Sequence, residues 1–302
     1  MNKEKFNLEK PKKEAKKHER KSISLVNELK IDSKEDREDL PPEEVEAYFW
    51  KNLYQEKLDE IKDDEEFKRV VIKKIKEYIK EGKNGSGYRA NWALRSIFSV
   101  KDLKIYKKEI KEKLDEIKDD EEFKKIAIKD LEIDIRLFKN SDGPKVKWAL
   151  YSILSMKDLG IYKKEIKEKI NEIKNDGESK SVVIKGLESN IKEGQKGNGV
   201  GASLALRTIF SMEELEIYKK EIKEKLNKIK NSEDFKKAVI KYLENDIKEG
   251  KNGNGANAGW ALWTILSMKN ISEHWQNIVD EKQIQKARKN QKKDIPKRPE
   301  MR

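Results

Sequence analysis

The stretch Ile105-Tyr-Lys-Lys-Glu-Ile-Lys-Glu-Lys113 returns unchanged at 161–169 and again at 217–225, which sets a repeat of 56 residues. The register extends beyond it: Trp92, Trp148, Leu204 and Trp260 hold one slot, and Leu58, Leu114, Ile170 and Leu226 hold another. Four copies therefore lie in tandem. A chain made by copying one unit buries its core between neighbours and presents a repeated surface, so function is expected from that surface more than from one chemical centre.

Each unit reads as three helices. In the second copy the first helix is expected over 102–118, with Leu103, Tyr106, Ile110, Leu114 and Ile117 spaced three and four apart as one apolar stripe. Its other face is charged, with Glu109 one turn ahead of Lys113. Asp119 and Asp120 then interrupt the pattern and offer capping oxygens to a second helix striped by Phe123, Ala127, Leu131, Ile135 and Phe138. That helix runs into a glycine-rich corner at 82–87, 194–199 and 250–255, where glycine is expected to supply a left-handed cap. The second copy has Asp142-Gly143-Pro144 there instead, a helix-start signal. The third helix is the most apolar, with Trp148, Ala149, Leu150, Tyr151, Ile153, Leu154 and Met156 leaving a narrow polar strip through Ser152 and Ser155. Such a helix belongs between its neighbours.

These features predict an all-α fold: a right-handed-type α-solenoid of four three-helix repeats at about 46–101, 102–157, 158–213 and 214–269, with capping helices. A partial fifth unit at 270–281 completes a solenoid spanning 42–281, with Trp275 and Ile278 in the slots of Lys219 and Ile222. A short cap helix and linker are expected at 22–41, and basic tails at 1–21 and 282–302.

The helix pair from Glu109 through Asp119 to Leu131 resembles the HEAT and armadillo repeat families, which place an aspartate at the helix corner and a basic residue six positions later. Asp63 with Arg69 and Asp119 with Lys125 match that ladder, Asn231 with Lys237 keeps half of it, and Asn175 with Ser181 loses it. The unit of 56 residues is longer than is usual for either family. What the resemblance implies is a scaffold that binds partners along a concave or ridge surface.

Charge and composition narrow the function classes. Of 302 residues, 42% are charged and 35% hydrophobic, a balance that suits a thin layered stack better than one deep core. The net charge of +12 is unevenly spread: residues 1–30 carry ten basic against five acidic side chains and residues 276–302 nine against four, leaving 51 against 49 between them. Polyanion binding is therefore sought in the tails, above all at Lys286, Arg288, Lys289, Lys292 and Lys293. With no cysteine, disulfides and thiolate metal sites are excluded. No secretory leader or transmembrane run is apparent, so a cytoplasmic protein is expected.

No enzyme is expected either. The glycine corners follow helices and lack the Gly-Lys-Ser/Thr ending of a phosphate-binding loop. His18 and His274 stand outside any zinc spacing, the acidic cluster 119–122 is explained by capping, and no cofactor or metal is implied. The tryptophan slot accepts Leu204, so it reads as core, not as a stacking platform for bases.

Against near-identical first helices, the start of the third helix is individual to each copy. It carries Arg89 and Asn91, Lys145 and Lys147, then Ser203, then Asn257, followed one turn later by Arg95, Tyr151, Arg207 and Trp263. These residues are expected to form a partner-facing ridge, because Arg, Tyr and Trp dominate binding hot spots. Random drift of a tolerant surface is the alternative. The expected partner is a protein or peptide, and nucleic acid held by the tails is the second expectation.

Overall fold

In the computed structural model, which describes residues 40–140 and 143–293, the chain is all-helical and no strand occurs among the described residues. The first copy contributes α1 (Pro42–Lys62), α2 (Glu65–Lys83) and α3 (Gly87–Asp102), and the second α4 (Lys107–Ile117), α5 (Glu121–Asn140) and α6 (Gly143–Leu159). The third gives α7 (Lys163–Asn175), α8 (Gly177–Gln195) and α9 (Gly199–Glu214), and the fourth α10 (Lys219–Lys230), α11 (Glu233–Lys251) and α12 (Gly255–Lys293). Among the described residues no helix is long and apolar enough to cross a membrane.

Local chemistry sets the boundaries. Asp64 and Asp120 accept from the backbone N–H of Phe67 and Phe123 at 2.9 Å, as N-caps should. The first helix of a copy starts later than its apolar stripe suggested, at Lys107 and not at 102, because the third helix before it runs on to Asp102. Between them Tyr106, Tyr162 and Tyr218 sit in the left-handed region at φ 48°, 54° and 53°. Two of these tyrosines compensate that strain with a long-range bond: Tyr106 Oη donates to Ile61 O at 2.7 Å and Tyr218 Oη to Ile173 O at 2.8 Å.

The glycine corners divide their labour. Gly85, Gly197 and Gly253 take the left-handed cap, at φ 99°, 89° and 97°. Gly82, Gly194 and Gly250 lie inside the helix, where an added Cβ would stand 2.7 Å from a ring carbon of Phe123, Phe235 and Phe67 respectively. These three glycines let one copy approach the next. The third approach belongs to the fourth copy against the first.

The array thus returns on itself. The third helices pack in a cycle, α3 on α6, α6 on α9, α9 on α12 and α12 on α3. Each also touches the second helix of the following copy: α3 meets α5, α6 meets α8, α9 meets α11, and α12 meets α2. Ion pairs repeat the pattern. Lys83 lies 3.3 Å from Asp120, and Lys251 stands 3.4 Å from Asp64. Lys169 pairs with Glu132 of the copy before it and Lys225 with Glu188; Lys57 finds Glu244 at 3.2 Å, as though the fourth copy preceded the first.

The expected partial fifth unit is not a separate helix. In place of the corner that ends in tyrosine the fourth copy has Ile271-Ser-Glu-His274, no left-handed residue occurs there, and α12 continues to Lys293. Its second half lies along α1, which is longer than the other first helices by most of its N-terminal half. Ser272 Oγ donates to Ala47 O at 3.1 Å, Trp50 is fully buried and donates to Glu46 at 3.2 Å, and Lys236 meets Glu46 at 2.6 Å with both side chains buried. The expected tail at 1–21 and cap helix from 22 lie outside the described residues up to 39, as do 294–302 at the other end.

Candidate functional site

The residues singular to each copy converge on the inner helices. Trp92, Trp148 and Trp260 meet with ring centroids 4.7–5.5 Å apart, in edge-on or tilted arrangements. Further along, Phe98 stacks parallel to Phe210 at 6.2 Å and meets Trp263 edge-on at 5.5 Å, while Tyr151 lies 5.4 Å from Trp263. Aromatic rings therefore fill the space between the inner helices. The cavity left among Trp92, Arg95, Trp148, Tyr151, Trp260 and Trp263 is about 20 Å³, room for one water.

The expected ridge is largely interior. Arg95 is 4% exposed, Tyr151 1%, Arg207 1% and Trp263 5%. Three of the four reach to the next third helix in one geometry. Arg95 donates to Ser152 Oγ at 2.7 Å and Trp148 O at 2.9 Å; Tyr151 bonds Thr208 Oγ1 at 3.2 Å; Arg207 donates to Thr264 Oγ1 at 2.7 Å and Trp260 O at 3.1 Å. Trp263 ends the series by packing on Phe98 and Tyr151. A surface ridge requires accessible side chains, and closure of the inner helices takes that accessibility away.

The remaining expected residues divide. Asn91 is buried and donates to Asp130 at 2.7 Å and Ala127 O at 3.2 Å. Asn257 donates to Asp246 at 2.7 Å. Arg89 stays at the surface, bonded to Glu81 at 2.8 Å and lying over the rings of Tyr78 and Tyr88. Lys147 is 9% exposed, and burial pulls its ammonium below the usual lysine range. Lys145 lies in α6, and Lys286, Arg288, Lys289, Lys292 and Lys293 lie in α12; their side chains fall outside the described residues.

Burial also governs the electrostatics. It draws the Arg95 guanidinium down to about 10, with Asp134 opposing, and lowers Arg207 as well. It lifts the Tyr151 phenol to about 12 and the Asp246 carboxyl to about 6, the latter against the pull of Arg207. Both arginines remain charged at neutral pH, so these groups bind helix to helix. Among the described residues no three His, Cys, Asp or Glu side chains gather as a metal site. His274 bonds Glu213 through Nδ1.

Glu46, Lys57 and Lys236, the buried charges where the copies close, do not stand out in the residue pattern. A signal for one of them exists. Glu132 and Glu188 each stand 37 positions before their lysine, and Glu244 has the same relation to Lys57 only if the order of copies is read as a circle. Comparison with protein-family models, with curated proteins and with solved structures finds no match to this chain.

Proposed function

We propose that the protein is a non-enzymatic helical-repeat scaffold, a four-copy solenoid closed end to end, that holds a protein or peptide partner on its outer helices. The observation that carries this reading is the use of Arg95, Tyr151, Arg207 and Trp263 as links between inner helices. Polar side chains committed to neighbours in this way hold the body rigid, and a rigid repeated body suits recognition. The resemblance to HEAT and armadillo units supports helical stacking of this kind, with the partner on the outside in place of a concave channel.

The direct test is capture by the immobilised full-length protein after nuclease treatment, with each captured protein then purified and titrated alone. Retained affinity at high salt supports the scaffold. A second reading has its own observation: Lys282 pairs with Glu43 at 3.0 Å, so the start of α1 lies beside the basic stretch of α12 that begins at Lys282. Basic segments joined there would hold a polyanion together. Binding that disappears with nuclease and falls steeply with salt would favour this nucleic-acid reading over the scaffold.

A further inference from the structure

The second helices of the four copies occupy equivalent outer positions, yet one of them has a different charge. The segments α5, α8 and α11 balance, with five basic against five acidic residues, three against three, and five against five; α2 carries seven against four. Two substitutions account for much of this. Lys74 stands where the other copies have Asp130, Gly186 and Tyr242, and Lys76 where they have Glu132, Glu188 and Glu244.

The second departure removes an ion pair from one joint. Glu132, Glu188 and Glu244 each neutralise a lysine of the neighbouring first helix, namely Lys169, Lys225 and Lys57. At the joint between copies one and two the corresponding lysine is Lys113, which would face Lys76 and turns instead to Glu116 at 2.8 Å. Lys73, Lys76 and Lys80 are exposed and form no ion pair among the described residues. They line an open groove of about 770 Å³ floored by Ile72 and bounded by Arg69 and Glu109.

We propose that this groove on α2 docks an acidic helical segment of a partner protein, a statement that rests on the scaffold reading and gives it a surface. The three lysines stand at i, i+3 and i+7, spanning about 10 Å of one helix face. Glutamates at the same spacing on a facing helix would meet them, with an apolar side chain seated over Ile72. A nucleic-acid backbone fits less well. The basic row is only about two phosphates long, whereas it matches three glutamates on two turns of helix, and Glu66, Glu77 and Glu109 in the same groove are already paired with Arg69, Lys74 and Lys68.

The probe is a labelled synthetic peptide helix carrying glutamates at i, i+3 and i+7 around one leucine, titrated by fluorescence anisotropy against the full-length chain. Reversing Lys73, Lys76 and Lys80 to Glu should weaken binding on the order of a hundredfold, about 2.8 kcal/mol. Reversing Lys185 and Lys192 on α8 should leave it within about twofold. Lys76→Glu alone restores the residue the other copies carry and should fold as well as the parent, yet lose on the order of tenfold in peptide affinity.

Equal loss at α8 and α2, no measurable binding by the parent, or displacement of the peptide by an RNA oligonucleotide of equal charge would overturn the proposal. If proteins captured by the parent are still captured by the triple α2 variant, the scaffold reading stands and this groove is not its surface. If the parent captures none that survive nuclease, the scaffold reading itself fails.

Discussion

The joint between the third and fourth copies and the joint that closes the fourth onto the first use the same slots and fill them differently. In the former, Arg207 of α9 stands close to Asp246 of α11, both buried. In the latter the same two slots hold Trp263 and Tyr78, with no charge between them. The closing joint must also do without a covalent link. The other joints pass through a corner ending in tyrosine, whereas the closing one is held by the extra turns of α1 lying on the straight extension of α12. The closing joint thus sets two aromatic rings where the joint before it has a buried arginine near a buried carboxylate, and it adds the contact between the extra turns of α1 and the extension of α12.

The largest effect is expected at the closing joint. Trp50→Ala removes a fully buried ring between α1 and its neighbours and should cost about 3–5 kcal/mol in urea denaturation. A cost under about 1 kcal/mol would mean that α1 does not clasp the body in solution.

Acid should next distinguish the slots that hold Arg207 and Asp246 from those that hold Trp263 and Tyr78. Burial raises the Asp246 carboxyl from 3.8 to about 6, so the fold favours its protonated form. That stabilisation is present in full below about 3.8 and is lost as pH rises through about 6. Relative to Asp246→Asn, the parent should lose about 3 kcal/mol between roughly pH 4 and 7. Parallel stability curves for the two proteins would show that Arg207 already neutralises the carboxylate, and the contrast with Trp263 and Tyr78 would then lose its energetic meaning.

The smallest expected difference lies among the tyrosine corners. Tyr106→Phe deletes the hydrogen bond to Ile61 O and should cost about 1 kcal/mol, read as a lowered thermal midpoint. Tyr162 is the same residue in the same corner, but its buried hydroxyl has no partner among the described residues, so Tyr162→Phe should be neutral or slightly stabilising. Equal costs would show that the bond to the preceding copy contributes nothing of its own.

Much of the helical content was legible because helices advertise themselves locally. Asp64 and Asp120 cap where their chemistry says they should, and Gly85, Gly197 and Gly253 terminate where a left-handed residue is needed. The late start of α4 was hidden, since Leu103 and Tyr106 keep helical spacing while a left-handed tyrosine interrupts the helix. The candidate site was legible in position and not in exposure. Variation at Arg95, Tyr151, Arg207 and Trp263 has the appearance of a free surface. Three of the four are committed to a hydroxyl of the next copy: Arg95 meets Ser152, Tyr151 meets Thr208, and Arg207 meets Thr264. Contacts across a joint cannot be told from a free surface until the joint is known.

By itself the sequence determined the period of 56 residues, the all-helical class and several caps, because period, capping residues and apolar stripes act within a few turns of chain. Only the tertiary structure decided that the last copy meets the first. That contact depends on how each copy is turned relative to the next, which accumulates from side-chain packing at every joint, and no single residue encodes it. Closure in turn fixed which residues are interior, consumed the variable strip of the third helices, and left the unpaired lysines of α2 on the outside.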